Sequence, residues 1–195
     1  MPSSVSEGKK WISGALEKLH RIKPLQLVLD VGCGEGTYSN LFRHKFSNAE
    51  WWGIEVFAPY LVRYRLADKY DKVINQDVSD FIQKHRSRRR FSVVILGDVL
   101  EHLREREAIR IYRFFAARAD LVVISIPIVP YPQGTINGNP YEIHLTENWT
   151  HESVLRAFPG QKRWYRGNVV GCYLSGPCLD ETLWAQIKPP SSRPT

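Results

Sequence analysis

Short unbroken runs of apolar residues alternate along the chain with segments whose apolar positions recur every three or four residues. The unbroken runs read as strands buried on both faces, the spaced ones as amphipathic helices. Trp11, Ile12, Ala15, Leu16 and Leu19 share one side of a helix predicted over Lys9–Leu19, and Pro24 breaks that pattern. The run Leu25–Leu29 predicts a first strand that leads into Asp30. Further strands are predicted at Trp51–Val56, Lys72–Asn75, Phe91–Leu96 and Leu121–Ile126. Helices are predicted between them, over Thr37–Phe46, Tyr60–Lys69, Val78–His85 and Glu105–Ala117. A short helix, Thr150–Phe158, precedes Arg163–Arg166 and Val169–Ser175, and the Gly167-Asn168 pair between these last two runs predicts a hairpin. There is no internal repeat. Residues 1–188 are expected to form one domain and 189–195, rich in proline and serine, a disordered tail.

Composition narrows the class. With 195 residues, 43% hydrophobic and 24% charged, the chain can bury its own core as a globular domain. No apolar run approaches the ~20 residues needed to span a bilayer. The segment Met1–Lys10 is polar and lacks the apolar core of an export signal. The cysteines, three in all, make no disulfide framework; Cys172 and Cys178 read as reduced thiols, and a cytoplasmic location is expected.

The densest chemistry lies at Leu29-Asp30-Val31-Gly32-Cys33-Gly34-Glu35-Gly36-Thr37. A strand ending in an acid and three alternate glycines predicts a tight loop that lets a ligand approach bare backbone, with a helix opening behind it. The dinucleotide fingerprint sets its third glycine one residue later. Asp30 would also repel a pyrophosphate and would suit a cationic or amino-bearing ligand. A nicotinamide-dependent oxidoreductase is disfavoured on both counts.

Gly-x-Gly-x-Gly behind an acid resembles the first motif of the class I S-adenosylmethionine-dependent methyltransferases, whose ligand carries a sulfonium and an amino group but no phosphate. Later landmarks fall in the order of that family. Glu55 lies 19 residues beyond Gly36, near the offset of about 20 at which such folds place a ribose-binding carboxylate. Asp77 and Val78 stand where the family contacts adenine, and Gly97-Asp98 end the fourth strand. The likeness spans roughly residues 27–175. It implies a doubly wound α/β fold with a mostly parallel, seven-stranded sheet and an antiparallel C-terminal strand. It also implies that Asp30, Gly32, Cys33, Gly34, Gly36, Glu55, Val56, Asp77, Val78, Gly97 and Asp98 hold S-adenosylmethionine.

Methyl transfer needs a nucleophile aligned with the donor, and a base where the acceptor is a hydroxyl. Two segments qualify. On a helical turn after the fourth strand, Asp98, Glu101 and His102 project from one face. The long loop from Pro127 to Asn148 carries Tyr131, Tyr141, Glu142 and His144, and its place after the fifth strand makes it a lid or substrate wall. Asp-x-x-Glu-His followed by His144, Trp149 and Thr150 resembles the small-RNA 2′-O-methyltransferases, and the acid-x-x-Glu-His run is shared with ubiquinone-pathway O-methyltransferases. The former likeness implies a metal, Mg²⁺ or Mn²⁺, on Glu101, His102 and His144; Asp98 stands where that family has glutamate.

A net charge of +7 leaves partners open. Arg86, Arg88, Arg89 and Arg90 cluster before the fourth strand, at its amino end and away from the expected cofactor edge, so a solvated loop is expected there in preference to a nucleic-acid contact. Arg104, Arg106, Arg110 and Arg113 alternate with acids and predict exposed ion pairs. The expected function is O-methylation of a small-molecule or sugar hydroxyl, with Glu101, His102 and His144 serving the acceptor. RNA ribose is the second acceptor class, and a non-catalytic cofactor-binding module the alternative of another class.

Overall fold

The structure, a computed structural model, describes residues 6–85 and 89–179. The predicted tail 189–195, the domain limit at 188, and Arg86 and Arg88 lie outside them. Helix α1 (Lys9–Ile22) precedes β1 (Leu27–Val31), α2 (Thr37–Phe42), β2 (Glu50–Glu55), α3 (Ala58–Arg63), α4 (Leu66–Lys69), β3 (Lys72–Asn75) and α5 (Val78–Lys84). Then come β4 (Phe91–Gly97), α6 (Glu105–Ala116), β5 (Ala119–Pro127), α7 (His151–Ala157), β6 (Gln161–Arg166) and β7 (Val170–Ser175). The seven strands form one sheet in the order β3-β2-β1-β4-β5-β7-β6. β1 pairs in parallel with β2 and with β4, and β7 alone runs against its neighbours β5 and β6.

Burial on both faces explains the unbroken apolar strands. Within β4, Val93 and Ile95 join a cluster with Leu16 and Leu19 of α1. The alternate residues Val94 and Leu96 join a second cluster with Ile111 and Phe115 of α6. α1 is therefore amphipathic because only Ile12, Ala15, Leu16, Leu19 and their neighbours meet the sheet. Chain order reverses between β1 and β4, and such a switch point leaves a crevice beyond the carboxyl ends of the strands.

Two elements differ from expectation. The helix predicted over Tyr60–Lys69 is two short helices, broken at Arg65, whose φ of 50° is left-handed. Tyr60 and Leu66 are both buried, yet six residues apart they would stand about 120° from each other around one continuous helix; with the break, both are buried. The helix predicted over Thr37–Phe46 ends at Phe42 and closes with a 3-10 turn, Arg43–Lys45. The predicted hairpin forms as β6 and β7, with the Gly167 N–H donating to the Val170 carbonyl at 3.0 Å. Arg89 pairs with Glu50 at 2.7 Å and Arg110 with Glu107 at 3.9 Å. Cys33, Cys172 and Cys178 are free thiols. Among the described residues no helix is long and apolar enough to cross a membrane.

Candidate active site

A cavity opens at the switch point, with the glycine loop as floor and the 128–150 loop as lid. Gly32, Cys33, Gly34, Glu55, Val56, Asp77, Val78, Gly97, Asp98, Glu101, His102 and His144 line it. Asp30 and Gly36 do not. Asp30 lies inside β1, on the α1 side of the sheet, with its carboxylate taking the Tyr70 hydroxyl at 2.6 Å. Gly36 sits behind the loop as the N-cap of α2.

The loop turns through Gly32, Gly34 and Gly36 at φ of 66°, 51° and 81°, values open to glycine and costly for a side chain. Glu55, at the carboxyl end of β2, is locked beside it. One carboxylate oxygen accepts from Gly34 N–H at 2.9 Å, the other from Phe57 N–H at 2.8 Å. Burial pushes its pKa up. Asp77 caps α5, its Oδ1 accepting from Ser79 N–H at 2.6 Å.

Asp98 follows β4 in a left-handed conformation, φ 53°, a strained state of the kind that clusters at functional sites. Its Oδ2 accepts from the Lys9 ammonium at 2.8 Å and the Tyr38 hydroxyl at 3.1 Å, and its Oδ1 from Ser125 Oγ at 3.3 Å. Lys9 also bonds Tyr38 and lies 4.4 Å from the centre of that ring. A Cβ at Gly97 would collide with the Tyr38 ring, so glycine there is what lets the tyrosine reach Asp98.

The 3-10 turn Leu100–His102 binds the lid. The Glu101 carbonyl accepts from Leu145 and Thr146 N–H at 2.9 and 3.1 Å, and the Leu103 carbonyl accepts from the Thr146 hydroxyl at 2.8 Å. These bonds bring His144 against His102, ring centres 4.7 Å apart. Nδ1 of His102 donates to the Ile143 carbonyl at 3.3 Å, and Nδ1 of His144 to the Tyr131 carbonyl at 2.5 Å. A carbonyl only accepts, so Nδ1 carries the proton in each ring and Nε2 keeps its lone pair. Burial lowers both imidazole pKa values, that of His102 to about 4, so both are neutral at pH 7. Glu101 is buried with Oε2 unpartnered; burial and then the Asp98 charge push its pKa well up. One ligand atom from each of Glu101, His102 and His144 lies within 4.8 Å of the others. Asp98, turned toward Lys9, is not in this group.

Sequence reasoning missed Lys9, Tyr38, Ser125, Gln133 and Asn139. Lys9 reaches Asp98 across 89 positions, and no local pattern marks such a contact. Asn139 and Gln133 were hidden in a segment whose lack of periodicity reads only as loop; both line the cavity.

Residues 29–118 match the family described as methyltransferase domain. No curated protein sequence matches the chain. Among solved structures, a S-adenosylmethionine-dependent methyltransferase from Clostridium acetobutylicum ATCC 824 aligns with a TM-score of 0.59 at 13% identity, covering 87% of this chain and 92% of its own. The PH0226 protein of Pyrococcus horikoshii OT3 aligns at 0.60 and 14% identity, covering 89% and 92%. The N-terminal domain of EvdMO1, solved in the presence of SAH and D-fucose, aligns at 0.56 and 16% identity, covering 83% and 81%. Over residues 29–118 the chain is similar to methyltransferase domains, and it has the Rossmann-like fold of the solved structures to which it aligns.

Proposed function

We propose that the protein methylates a hydroxyl oxygen of a small molecule or sugar, with S-adenosylmethionine as donor. The observation that carries this reading is one cavity with two chemically distinct ends: glycine backbone and acids at one, two neutral imidazoles and a buried carboxyl at the other. The first end fits the donor's chemistry. The carboxylate of Glu55, fixed by two amides, has lone pairs left for the ribose hydroxyls. Asp77 has an oxygen to spare for the adenine amino group while Val78 packs on the ring, and Val56 closes the ribose side. The Gly32–Gly34 backbone, Cys33 included, with Gly97 and Asp98, would hold the amino-acid end. When bound, the donor supplies a methyl group on a sulfonium, already electrophilic.

The protein's work is then alignment and proton removal. His102 and His144 present Nε2 lone pairs, and residues of the 128–150 loop line the same cavity as the donor end. EvdMO1 was solved with a sugar, D-fucose, which agrees with a polyhydroxyl acceptor. The test is S-adenosylhomocysteine release over a panel of sugars and small hydroxyl compounds, after calorimetry with S-adenosylhomocysteine itself. Binding without turnover on any acceptor favours a non-catalytic module; no binding rejects the reading.

The Glu101, His102 and His144 group supports a second reading, a divalent ion that lowers the acceptor hydroxyl's pKa, as for an RNA ribose. Both imidazoles are pinned by carbonyls at Nδ1, the outer bonding that orients metal-bound histidine. Two nitrogen ligands favour Mn²⁺ over Mg²⁺, which prefers oxygen. Chelation should abolish methylation and Mn²⁺ should restore it; full activity in chelator rejects the ion.

A further inference from the structure

Lys9 is the only lysine or arginine buried among the described residues. It is held from two sides. Behind it, α1 is anchored by Ile12 and Leu16, both fully buried. Ahead of it, the Glu7 carboxylate accepts from the N–H groups of Asn168, Val169 and Val170 at 2.8, 2.9 and 2.7 Å, stapling the chain to the β6–β7 turn. The segment between has no slack, and its one buried charge goes to Asp98 at 2.8 Å, with Ser125 Oγ at 3.2 Å completing the set. Lys9 stands behind the cavity wall, and Asp98 and Tyr38 stand on it.

We infer that Lys9 is a positioning residue that aims the Asp98 carboxylate at the amino-acid end of the methyl donor. The inference rests on the donor reading of the cavity. Glu55, Asp98 and Glu101 line this wall and Asp30 lies behind it. Without the ammonium, Asp98 would swing away from the other carboxylates, which removes a fixed anion from the donor's amino group. With it, Oδ2 is held by the ammonium and the Tyr38 hydroxyl and Oδ1 by Ser125 Oγ, so the carboxylate is fixed at a position that lines the cavity.

The test uses the full chain and two probes in calorimetry: S-adenosylhomocysteine, which has the amino-acid end, and 5′-methylthioadenosine, which lacks it. In Lys9→Met, the Kd for S-adenosylhomocysteine should rise about tenfold or more, and that for 5′-methylthioadenosine should stay within about twofold. Equal weakening of both probes marks a merely structural role and overturns the inference, as does no change in either. Wild-type protein that binds neither probe rejects the donor reading itself, and the inference falls with it. Should Lys9→Met fail to fold, Lys9→Gln is read with the same probes; failure of both to fold assigns Lys9 to folding alone and overturns the inference.

Discussion

Asp30→Asn separates what the glycine-loop acid does for folding from what it does for the ligand. Its carboxylate is wholly buried; one oxygen takes the Tyr70 hydroxyl and the other has no hydrogen-bond partner. Burial raises the pKa from 3.8 to about 7; the Tyr70 bond and the Lys9 charge oppose the rise, and the Asp98 and Glu55 charges add to it. Below pH 3.8 the group is neutral whether the chain is folded or not. Above that, the unfolded chain ionises freely and the folded chain does not until near pH 7, so stability present in acid is lost as pH rises through about 7. Integrating between pH 5 and pH 8 with these two values, at about 1.4 kcal/mol per unit, gives a loss of about 3 kcal/mol.

Asparagine still accepts from Tyr70 but does not titrate. Its buried amide hydrogens, placed where a bare oxygen was, cost about 1–3 kcal/mol at either pH. The variant should therefore be the less stable protein at pH 5 and should gain about 3 kcal/mol on wild type by pH 8. Urea unfolding at the two pH values reads this as a relative shift in midpoint. Because Asp30 does not line the cavity, affinity for S-adenosylhomocysteine should stay within about threefold of wild type. Parallel pH profiles would refute the buried ionisation. A loss of affinity beyond about tenfold would refute a purely internal role.

Other perturbations probe the cavity directly. Gly34→Val forces a β-branched residue to φ near 51°, so calorimetry should show S-adenosylhomocysteine affinity reduced about 100-fold or more; unchanged affinity would remove the loop from the site. Glu55→Ala leaves the Gly34 and Phe57 amides without their acceptor. It should cost about 2 kcal/mol in unfolding free energy and at least about tenfold in affinity for the same ligand. His144→Ala should leave that affinity intact and lower turnover about 100-fold once an acceptor is found; equal turnover would take His144 out of the acceptor group.

What the sequence revealed was what is local. Strands buried on both faces are unbroken apolar runs, so β1, β4 and β5 were expected within two residues of their observed bounds; β2 was expected within one residue, and the part-exposed edge strand β3 at its observed bounds from a shorter signal. The glycine loop follows from residue type, since its φ values are open to little else. The same double burial hid the face of Asp30: a strand without alternation does not say which side of the sheet an acid occupies, and Asp30 turned to Tyr70. The split at Arg65 was hidden because the core selects it through Tyr60 and Leu66 jointly. Lys9 reads as the first polar residue of an amphipathic helix. Its partner is fixed only when the sheet brings β4 and β5 under that helix.

The charge layout bears on rate as well as binding. On the proposed reading the donor arrives with a full positive charge that fades as the methyl moves. An array of free carboxylates around the sulfonium would therefore hold the ground state more tightly than the transition state and slow the reaction. The wall avoids this in two ways. Asp98 is ion-paired with Lys9 and bonded to Tyr38. Asp30 and Glu101 have pKa values raised by burial, so proximity of acids does not mean a matching density of negative charge. Glu55, fixed by two backbone amides, would on the same reading grip the ribose hydroxyls. Removing the lysine while keeping all four acids leaves the Asp98 charge both uncompensated and unaimed: once an acceptor is known, Lys9→Met should lower kcat through the first change and raise KM through the lost amino-group contact, which outweighs the tighter hold on the sulfonium. A rise in KM alone, with kcat unchanged, would show that the ion pair serves binding and that charge around the sulfonium does not limit the rate.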